Sequence, residues 1–134
     1  MPAEHRYQRR VQFHETDLAG IVHFSWYFKY MEEAEHALWR SVGMSITARQ
    51  QEWGLPRVNA NIDFKSPLKF EDEFEVHVKV DAIGRRSLRY AFTILRGTEV
   101  MATGTMTSAA VTRDSHGRVR SIEVPESVRA RLSS

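Results

Sequence analysis

The segment from residue 24 to about residue 42 constrains the fold more than any other part of this 134-residue chain. Its apolar residues recur at the three- and four-residue spacing of an α-helix, for about five turns. The members of this series are Phe24, Tyr27, Phe28, Met31, Ala34, Leu38 and Val42. Trp26, Tyr30 and Trp39 widen the apolar stripe, so the helix needs cover over much of its circumference. Gly43 is the expected stop.

The acidic residues of this segment are expected to face water. Glu32, Glu33 and Glu35 predict a polar helix face. Lys29 and Glu33 have the i, i+4 spacing of a helical ion pair. Glu15, in the turn before the helix, is expected to be a solvated charge at the end of a strand.

The remainder of the chain has the two-residue period of β-strands. One such segment precedes the helix and four follow Pro56, at residues 6–14, 57–66, 73–84, 87–97 and 99–113. A short helix or irregular link is expected at 45–54, and a short strand and terminal helix at 119–132. Strand, long helix and antiparallel strands in this order predict one α+β domain over residues 1–134. In it, a strongly curved antiparallel sheet wraps the long central helix.

Composition narrows the classes of function. The chain has no cysteine, which removes disulfides, thiolate catalysis and cysteine-based metal centres. None of its six histidines forms an HExxH motif, so no metal is expected. A net charge of +2 with dispersed arginines argues against nucleic acid and favours phosphates on a small ligand. No run reaches membrane length and no secretory h-region begins the chain, so a cytoplasmic location is expected.

The turn ETDLAG, residues 15–20, places Asp17 one short loop before the helix. An aspartate there is commonly a turn former whose carboxylate accepts backbone N–H groups. Alternatively, Asp17 is a nucleophile or general base. Gly20 would then allow close backbone approach, and the helix start near Phe24 would offer unpaired N–H groups to an oxyanion. This arrangement suits acyl-group hydrolysis, but spacing alone leaves both interpretations open.

The stretch RVQFHETDLAGIVHFSWYFKYMEEAEHALWRSVG, residues 10–43, resembles the 4-hydroxybenzoyl-CoA thioesterase family of single hot-dog domains. The family pattern is a strand, the motif D-x-x-G-x-V, an aromatic or His pair, a Tyr three residues on, and a long helix. The matching residues are Asp17, Gly20, Val22, the pair His23 and Phe24, Tyr27 and Glu32. The resemblance continues through the strands to the segment RSIEVP and covers nearly the whole chain.

The resemblance implies an acyl-CoA thioesterase in which Asp17 is the nucleophile or general base. The backbone N–H of Phe24 would polarise the thioester carbonyl. His23 is a further catalytic candidate, although the order His-Phe differs from the Tyr-His pair of one branch of the family. The implied substrate-binding residues are Gly20, Trp26, Tyr27, Asn59, Asn61, Lys65, Ser66, Arg85, Arg86 and Ser87. No cofactor is implied, since coenzyme A is part of the substrate.

Competing interpretations accompany these residues. Trp26 and Tyr27 are equally explained as core, and the basic residues as solvated strand ends. The strand edges favour a homodimer or homotetramer, and the resemblance implies active sites shared across the interface, with Arg85 and Arg86 serving the partner's Asp17. Two other functions stay open. One is a hot-dog dehydratase or hydratase of acyl-CoA or acyl-carrier-protein substrates, using His23 with a helix glutamate, and the other is a non-catalytic acyl-CoA-binding dimer.

Overall fold

The computed structural model of the protein describes residues 2–47 and 52–133. Its elements in chain order are β1 (Glu4–Arg10), a 3₁₀ turn (Phe13–Glu15), α1 (Ser25–Ser41), β2 (Trp53–Gly54), β3 (Arg57–Phe64), β4 (Glu73–Ile83), β5 (Ser87–Arg96), β6 (Glu99–Ala109), β7 (Val111–Arg113), β8 (Val119–Ser121) and α2 (Glu126–Leu132). The predicted order of strand, long helix and antiparallel strands is confirmed. Part of the link expected at 45–54 lies outside the described residues.

Five strands form one antiparallel sheet in the order β1-β4-β5-β6-β3, and β2, β7 and β8 form a smaller one. Register shifts interrupt three of the strand pairs and bend the large sheet. On β4 the predicted alternation is confirmed, since Phe74, Val76, Val78 and Val80 are all buried. The α+β prediction of a curved antiparallel sheet around a long helix is therefore confirmed.

The long helix α1 packs closely against the sheet. Gly104 on β6 allows this approach, because a Cβ there would lie 2.9 Å from Cε of Met31. Farther along α1, the Trp39 indole N–H donates to the Tyr90 hydroxyl at 2.9 Å. The helix ends as predicted, with Gly43 in the left-handed region at φ +80°.

Two acidic residues contradict the prediction of a solvated position. Glu15 is 0% exposed and Glu35 is 1% exposed. Each is buried because an arginine from a strand reaches it, Arg9 from β1 and Arg57 from the start of β3. A buried carboxylate needs such a partner to offset its lost hydration.

Two other local expectations are corrected. The first strand ends at Arg10 rather than at residue 14, and Phe13 opens a 3₁₀ turn with its side chain 75% exposed. Glu33 does not pair with Lys29. Its carboxylate instead accepts hydrogen bonds from Arg9 Nε at 2.6 Å and from the Tyr7 hydroxyl at 3.0 Å.

The strand β3 forms one edge of the large sheet, and in the described part of the chain it pairs only with β6. Its residues Val58 and Phe64 are 63% and 51% exposed, whereas Ile62 is half-buried. An edge with exposed apolar side chains is typical of a surface that pairs with another chain.

Candidate active site

The loop between the 3₁₀ turn and α1 is a small closed turn. Thr16 and Val22 form an isolated antiparallel bridge. Beyond this bridge, Asp17 N–H donates to the Ile21 carbonyl at 3.0 Å and Gly20 N–H donates to the Asp17 carbonyl at 2.9 Å. Gly20 has φ +78°, which explains why glycine stands here. The loop therefore fixes the backbone of Asp17 while leaving its side chain at the surface.

The two carboxylate oxygens of Asp17 differ in their contacts. Oδ1 accepts the Ala19 backbone N–H at 2.8 Å, which is the turn-forming role expected of such an aspartate. Within residues 2–47 and 52–133, Oδ2 has no protein hydrogen-bond partner. One oxygen thus stabilises the turn and the other is left for a ligand or a water molecule.

A cleft of about 400 Å³ lies beside this aspartate. Among the residues that line it are Asp17, Phe24, Tyr27, Phe64, Lys65 and Ser66. Five of these six were singled out from the sequence, and Phe64 was not. Phe64 stands at the end of β3, where its ring meets the Tyr27 ring edge-on at 5.1 Å between centroids. The cleft combines an aromatic wall with a carboxylate and a basic group at its rim.

The backbone N–H of Phe24 immediately precedes α1, which begins at Ser25. This N–H has no acceptor among the residues that the structure describes. The carbonyls next to it are engaged, since His23 O accepts from Trp26 N–H and Phe24 O from Tyr27 N–H. An unpaired donor at the positive end of a helix is suited to a developing oxyanion.

The side chain of His23 turns toward the start of the helix. Its Nδ1 lies 2.8 Å from the Ser25 hydroxyl, and its ring packs on the Phe24 ring at 4.7 Å between centroids. His23 is not among the residues that line the cleft. The position supports a structural contribution at the helix start.

Tyr27 and Trp26 occupy different environments although they are neighbours in sequence. Tyr27 is 2% exposed, and its hydroxyl accepts the Leu68 backbone N–H at 3.2 Å. Burial raises the pKa of Tyr27, which keeps the phenol neutral. The Trp26 ring is instead half-buried, packs on His14 at 5.3 Å between centroids, and is not among the residues that line the cleft.

Asn59 and Asn61 lie on the outer face of the sheet. Asn61 pairs with Thr105 and donates to its hydroxyl at 2.8 Å. The neighbouring position on β6, Gly104, faces α1, so the side chains of Asn61 and Thr105 point the other way. These two asparagines therefore do not face the cleft of their own chain.

The basic turn at 84–87 joins β4 to β5. The other end of β4 follows the segment 68–72, which contacts the Asp17 loop through Val22 N–H to Leu68 O at 2.8 Å. The 11 residues of β4 separate the two ends by about 33 Å. Arg85 donates to Glu123 at 2.7 Å. Arg85, Arg86 and Ser87 thus lie far from the cleft of their own chain.

Sequence reasoning missed a buried ionic network beneath the loop. Arg9 donates to both oxygens of Glu15, at 2.8 and 2.5 Å, and the Tyr30 hydroxyl donates to Glu15 Oε1 at 2.8 Å. The Gln12 backbone N–H donates to the same oxygen at 2.8 Å. The Gln12-to-Glu15 spacing of a capping box was the one local signal of this role.

The electrostatics of this network keep its groups in fixed charge states. Burial acts to raise the pKa of Glu15, but hydrogen bonds from Arg9, Gln12 N–H and Tyr30 outweigh it and lower the pKa below its ordinary value. For Arg9, burial acts to lower the pKa, but Glu15 and Glu33 raise it. Burial, reinforced by Glu15, raises the pKa of Tyr30. The carboxylate and guanidinium are thus both charged and the phenol is neutral.

Residues 2–47 and 52–133 contain no grouping of three His, Asp or Glu side chains suited to a metal ion. They also contain no helix long and apolar enough to cross a membrane.

The comparisons with known proteins agree on one family. A family model described as the thioesterase-like superfamily matches residues 11–132. A putative esterase of Aquifex aeolicus is 40% identical over 92 residues, which are 67% of this chain and 71% of the relative. A 1,4-dihydroxy-2-naphthoyl-CoA hydrolase of Synechococcus elongatus is 29% identical over 104 residues, 75% of this chain and 76% of the relative.

A solved gentisyl-coenzyme A thioesterase superposes with a TM-score of 0.83 at 28% identity, covering 93% of this chain and 99% of its own. The curved sheet around a long helix, with an acidic loop at the helix start, therefore defines a hot-dog protein of the thioesterase type. The chain belongs to the thioesterase-like superfamily. This membership confirms the predicted family resemblance and the prediction of a thioester hydrolase.

Proposed function

We propose that this protein is an acyl-CoA thioesterase, which hydrolyses a CoA thioester to a free acid and CoA. One observation carries the proposal: Asp17 and Phe24 line the same cleft, and within the described residues one Asp17 carboxylate oxygen and the Phe24 backbone N–H have no partner. The names of the dihydroxynaphthoyl-CoA and gentisyl-CoA relatives support a CoA ester as the substrate class.

The proposed reaction places the thioester carbonyl oxygen at the Phe24 N–H, which stabilises the negative charge that develops there. Asp17 then acts in one of two ways. As a nucleophile it attacks the carbonyl carbon, and water hydrolyses the resulting anhydride; as a general base it takes a proton from the attacking water. In both routes the carbon–sulfur bond breaks, and the CoA thiolate leaves and acquires a proton.

The wall of the cleft favours an aromatic acyl group. The Tyr27 and Phe64 rings form an edge-to-face pair, with an interplanar angle of 84°. Ile21 and Val22 add aliphatic surface. Both relatives named for their substrates act on aromatic acyl-CoA esters by their names. A medium aliphatic chain is the competing acyl group.

The edge strand β3 supports a two-fold dimer. Two copies of β3 paired antiparallel would cover the exposed Val58 and Phe64. In such a pair, the Arg57 end of one strand lies beside the Phe64 end of the other. The turn at 84–87 is close to the Arg57 end, since Ala110 N–H donates to Arg86 O and Ala109 N–H donates to Pro56 O. The partner's basic turn would thereby approach the Asp17 cleft.

Coenzyme A recognition is then divided between two chains. Lys65 and Ser66 stand at the rim of the cleft in the same chain as Asp17. Arg85, Arg86 and Ser87 of the partner subunit would supply forked donors for the phosphates. This arrangement accounts for a basic turn that lies far from the cleft of its own chain.

The dehydratase alternative requires a His–carboxylate pair, and the described contacts favour it less. The His23 ring contacts Ser25 and Phe24. Glu33 is engaged by Arg9, and Glu32 lies 3.8 Å from Arg57. Hydration of an enoyl-CoA without thiol release would nevertheless support that alternative over hydrolysis, and binding without turnover would support the non-catalytic one.

The decisive experiment measures free thiol release from a panel of aromatic and aliphatic acyl-CoA esters. Asp17→Asn keeps an oxygen for the turn but removes the charge, and Asp17→Ala removes both. We expect both variants to lose at least about a hundredfold in kcat. Asp114→Asn is the matched control, because Asp114 accepts the His116 backbone N–H at 2.9 Å in a similar turn. Hydrolysis that survives both Asp17 substitutions rules out the proposed mechanism.

A further inference from the structure

Glu15 lies where three parts of the molecule meet. Its carboxylate receives Arg9 from β1, the Tyr30 hydroxyl from α1 and the Gln12 N–H from the start of the 3₁₀ turn. The Arg9 guanidinium also lies over the Tyr30 ring, 4.7 Å from its centroid. The side chain is 0% exposed and is not among the residues that line the Asp17 cleft, so it cannot contact a substrate there.

The backbone of Glu15 connects this buried network to both reactive groups. Its carbonyl accepts the His23 N–H at 2.9 Å. Asp17 follows Glu15 by two residues, and Phe24 follows His23 by one. The Glu15–His23 bond and the Thr16–Val22 bridge together form a miniature hairpin, residues 15–23. The Asp17 carboxylate lies on its first arm, and the Phe24 N–H directly follows its second arm.

A geometric restraint is needed at this point because the loop tip contributes little packing of its own. Residues 17–20 are all exposed, and the Leu18 side chain is fully so. Apolar packing is non-directional, whereas a bidentate Arg–carboxylate pair fixes distance and orientation together. Catalytic groups lose rate steeply when displaced by about 1 Å.

We infer that Glu15 is a positioning residue: held by Arg9 and Tyr30, it fixes the Asp17 carboxylate relative to the Phe24 N–H. This inference rests on the proposed thioesterase function. It assigns to the buried ionic network a contribution to the rate of the chemical step, separate from its contribution to stability.

The second buried ion pair provides a matched control. Glu35 is 1% exposed and bonds to both terminal nitrogens of Arg57, at 2.8 and 2.6 Å, much as Glu15 bonds to Arg9. It lies in the middle of α1 and has no bond to the loop. Glu15→Gln and Glu35→Gln each replace a buried carboxylate by a neutral isostere facing an arginine. Both variants should therefore lose stability, whereas only Glu15→Gln should also lose catalytic rate.

The test compares kcat, KM and thermal midpoint for wild type, Glu15→Gln and Glu35→Gln, with an aromatic acyl-CoA ester at saturating and limiting concentrations. We expect Glu15→Gln to lower kcat by at least about tenfold with KM within about twofold. Glu35→Gln should lower the thermal midpoint comparably, with kcat within about twofold of wild type. Hydrogen exchange should show lost protection at the His23 amide in Glu15→Gln alone.

Two results overturn the inference: an unchanged kcat in Glu15→Gln, or equal losses of kcat in both variants. Tyr30→Phe keeps the ring and removes only the hydroxyl that donates to Glu15, so it applies if Glu15→Gln does not fold. A lowered kcat in Tyr30→Phe supports the inference, and a wild-type kcat overturns it. Failure of the proposed function is recognised separately, because Asp17→Asn would then keep its activity whatever Glu15→Gln shows.

Discussion

Asp17 and Asp114 close the same kind of turn. In each, Oδ1 accepts the backbone N–H two residues on, at 2.8 Å for Asp17 and 2.9 Å for Asp114. Each turn also has a glycine three residues on, Gly20 or Gly117, with positive φ and an N–H that donates to the aspartate carbonyl. The turn-forming role of Asp17 is therefore real and does not by itself indicate catalysis. What distinguishes Asp17 is the helix start, because its cleft is also lined by Phe24.

Gly20→Ala tests whether the shape of this loop matters for catalysis. The φ of +78° costs an alanine about 1 kcal/mol, and a Cβ there meets no atom within 4 Å. We expect a small loss of stability and a kcat lowered about fivefold or more, because the strain moves the Asp17 backbone. Gly117→Ala has the same strain at φ +74° and an equally open site, so it should lose stability alone. Steady-state kinetics and urea unfolding of both variants provide the comparison, and matching kcat values would contradict the prediction.

Arg85→Ala combined with Arg86→Ala should raise KM for CoA esters more than it lowers kcat, because phosphate contacts remote from the reacting carbonyl contribute to ground-state binding. Initial rates of the double variant and the wild type over a series of CoA-ester concentrations give both constants and test this. An unchanged KM would remove both arginines from the CoA site.

Mixed dimers test whether those arginines serve the partner's Asp17. Co-expression of differently tagged Asp17→Asn and Arg85→Ala/Arg86→Ala chains produces a dimer with one site carrying both defects and one carrying neither. Such a dimer should recover about half of the wild-type activity. If the arginines serve their own chain, each site keeps one defect and activity stays low.

The stability lost in Glu15→Gln should depend on pH. Because the folded protein lowers the Glu15 pKa below its ordinary 4.5, the carboxylate's contribution is present above that pH and is lost as the pH falls. The facing groups are Arg9, the Tyr30 hydroxyl and His14, whose Nε2 lies 3.8 Å away. Near pH 7, urea unfolding should show wild type more stable by about 3 kcal/mol, with the gap narrowing below about pH 4.5. A gap that is the same at all pH values would contradict this.

Gly104→Ala should destabilise the protein without any involvement of the cleft. A Cβ at this position would lie 2.5 Å from the Asn61 carbonyl oxygen and 2.9 Å from Met31 Cε. The methionine can move, but the paired backbone of β3 cannot, so we expect a loss of about 2–3 kcal/mol. Gly97→Ala, with positive φ and no close atom, should lose about 1 kcal/mol in the same unfolding assay. Equal losses of unfolding free energy in Gly104→Ala and Gly97→Ala would show that β3 can move to accommodate the added Cβ.

The spacing of apolar residues along the chain predicted the helix bounds and the buried strand face. The bounds of α1 and the buried face of β4 follow from the apolar repeat, and Gly43 ended the helix as expected. The same spacing could not show that β3 is an edge, since exposure of Val58 depends on which strand lies beside it. Strand order is a property of three-dimensional pairing, and alternation along one strand carries no information about it.

The candidate site was predicted where sequence neighbours stay neighbours in space. The loop and helix start, with Asp17 and Phe24, fall within eight consecutive positions, 17–24, and they line one cleft. The buried state of Glu15 was mispredicted because its partners come from β1 and from the second turn of α1. A glutamate in a polar turn indicates solvent until the position of an arginine on another element is known.

The miniature hairpin separates the residues that fix the reactive geometry from residues whose sequence can vary. Its base is tied to the interior through Glu15, whereas the side chains of Leu18 and Ala19 at its tip are open to solvent. Substitutions at the tip can therefore accumulate with little cost in folding while the reactive geometry is kept. Divergence within a lineage, or a laboratory library confined to these two codons, has room there to change the surface beside Asp17 without first compensating a loss of stability.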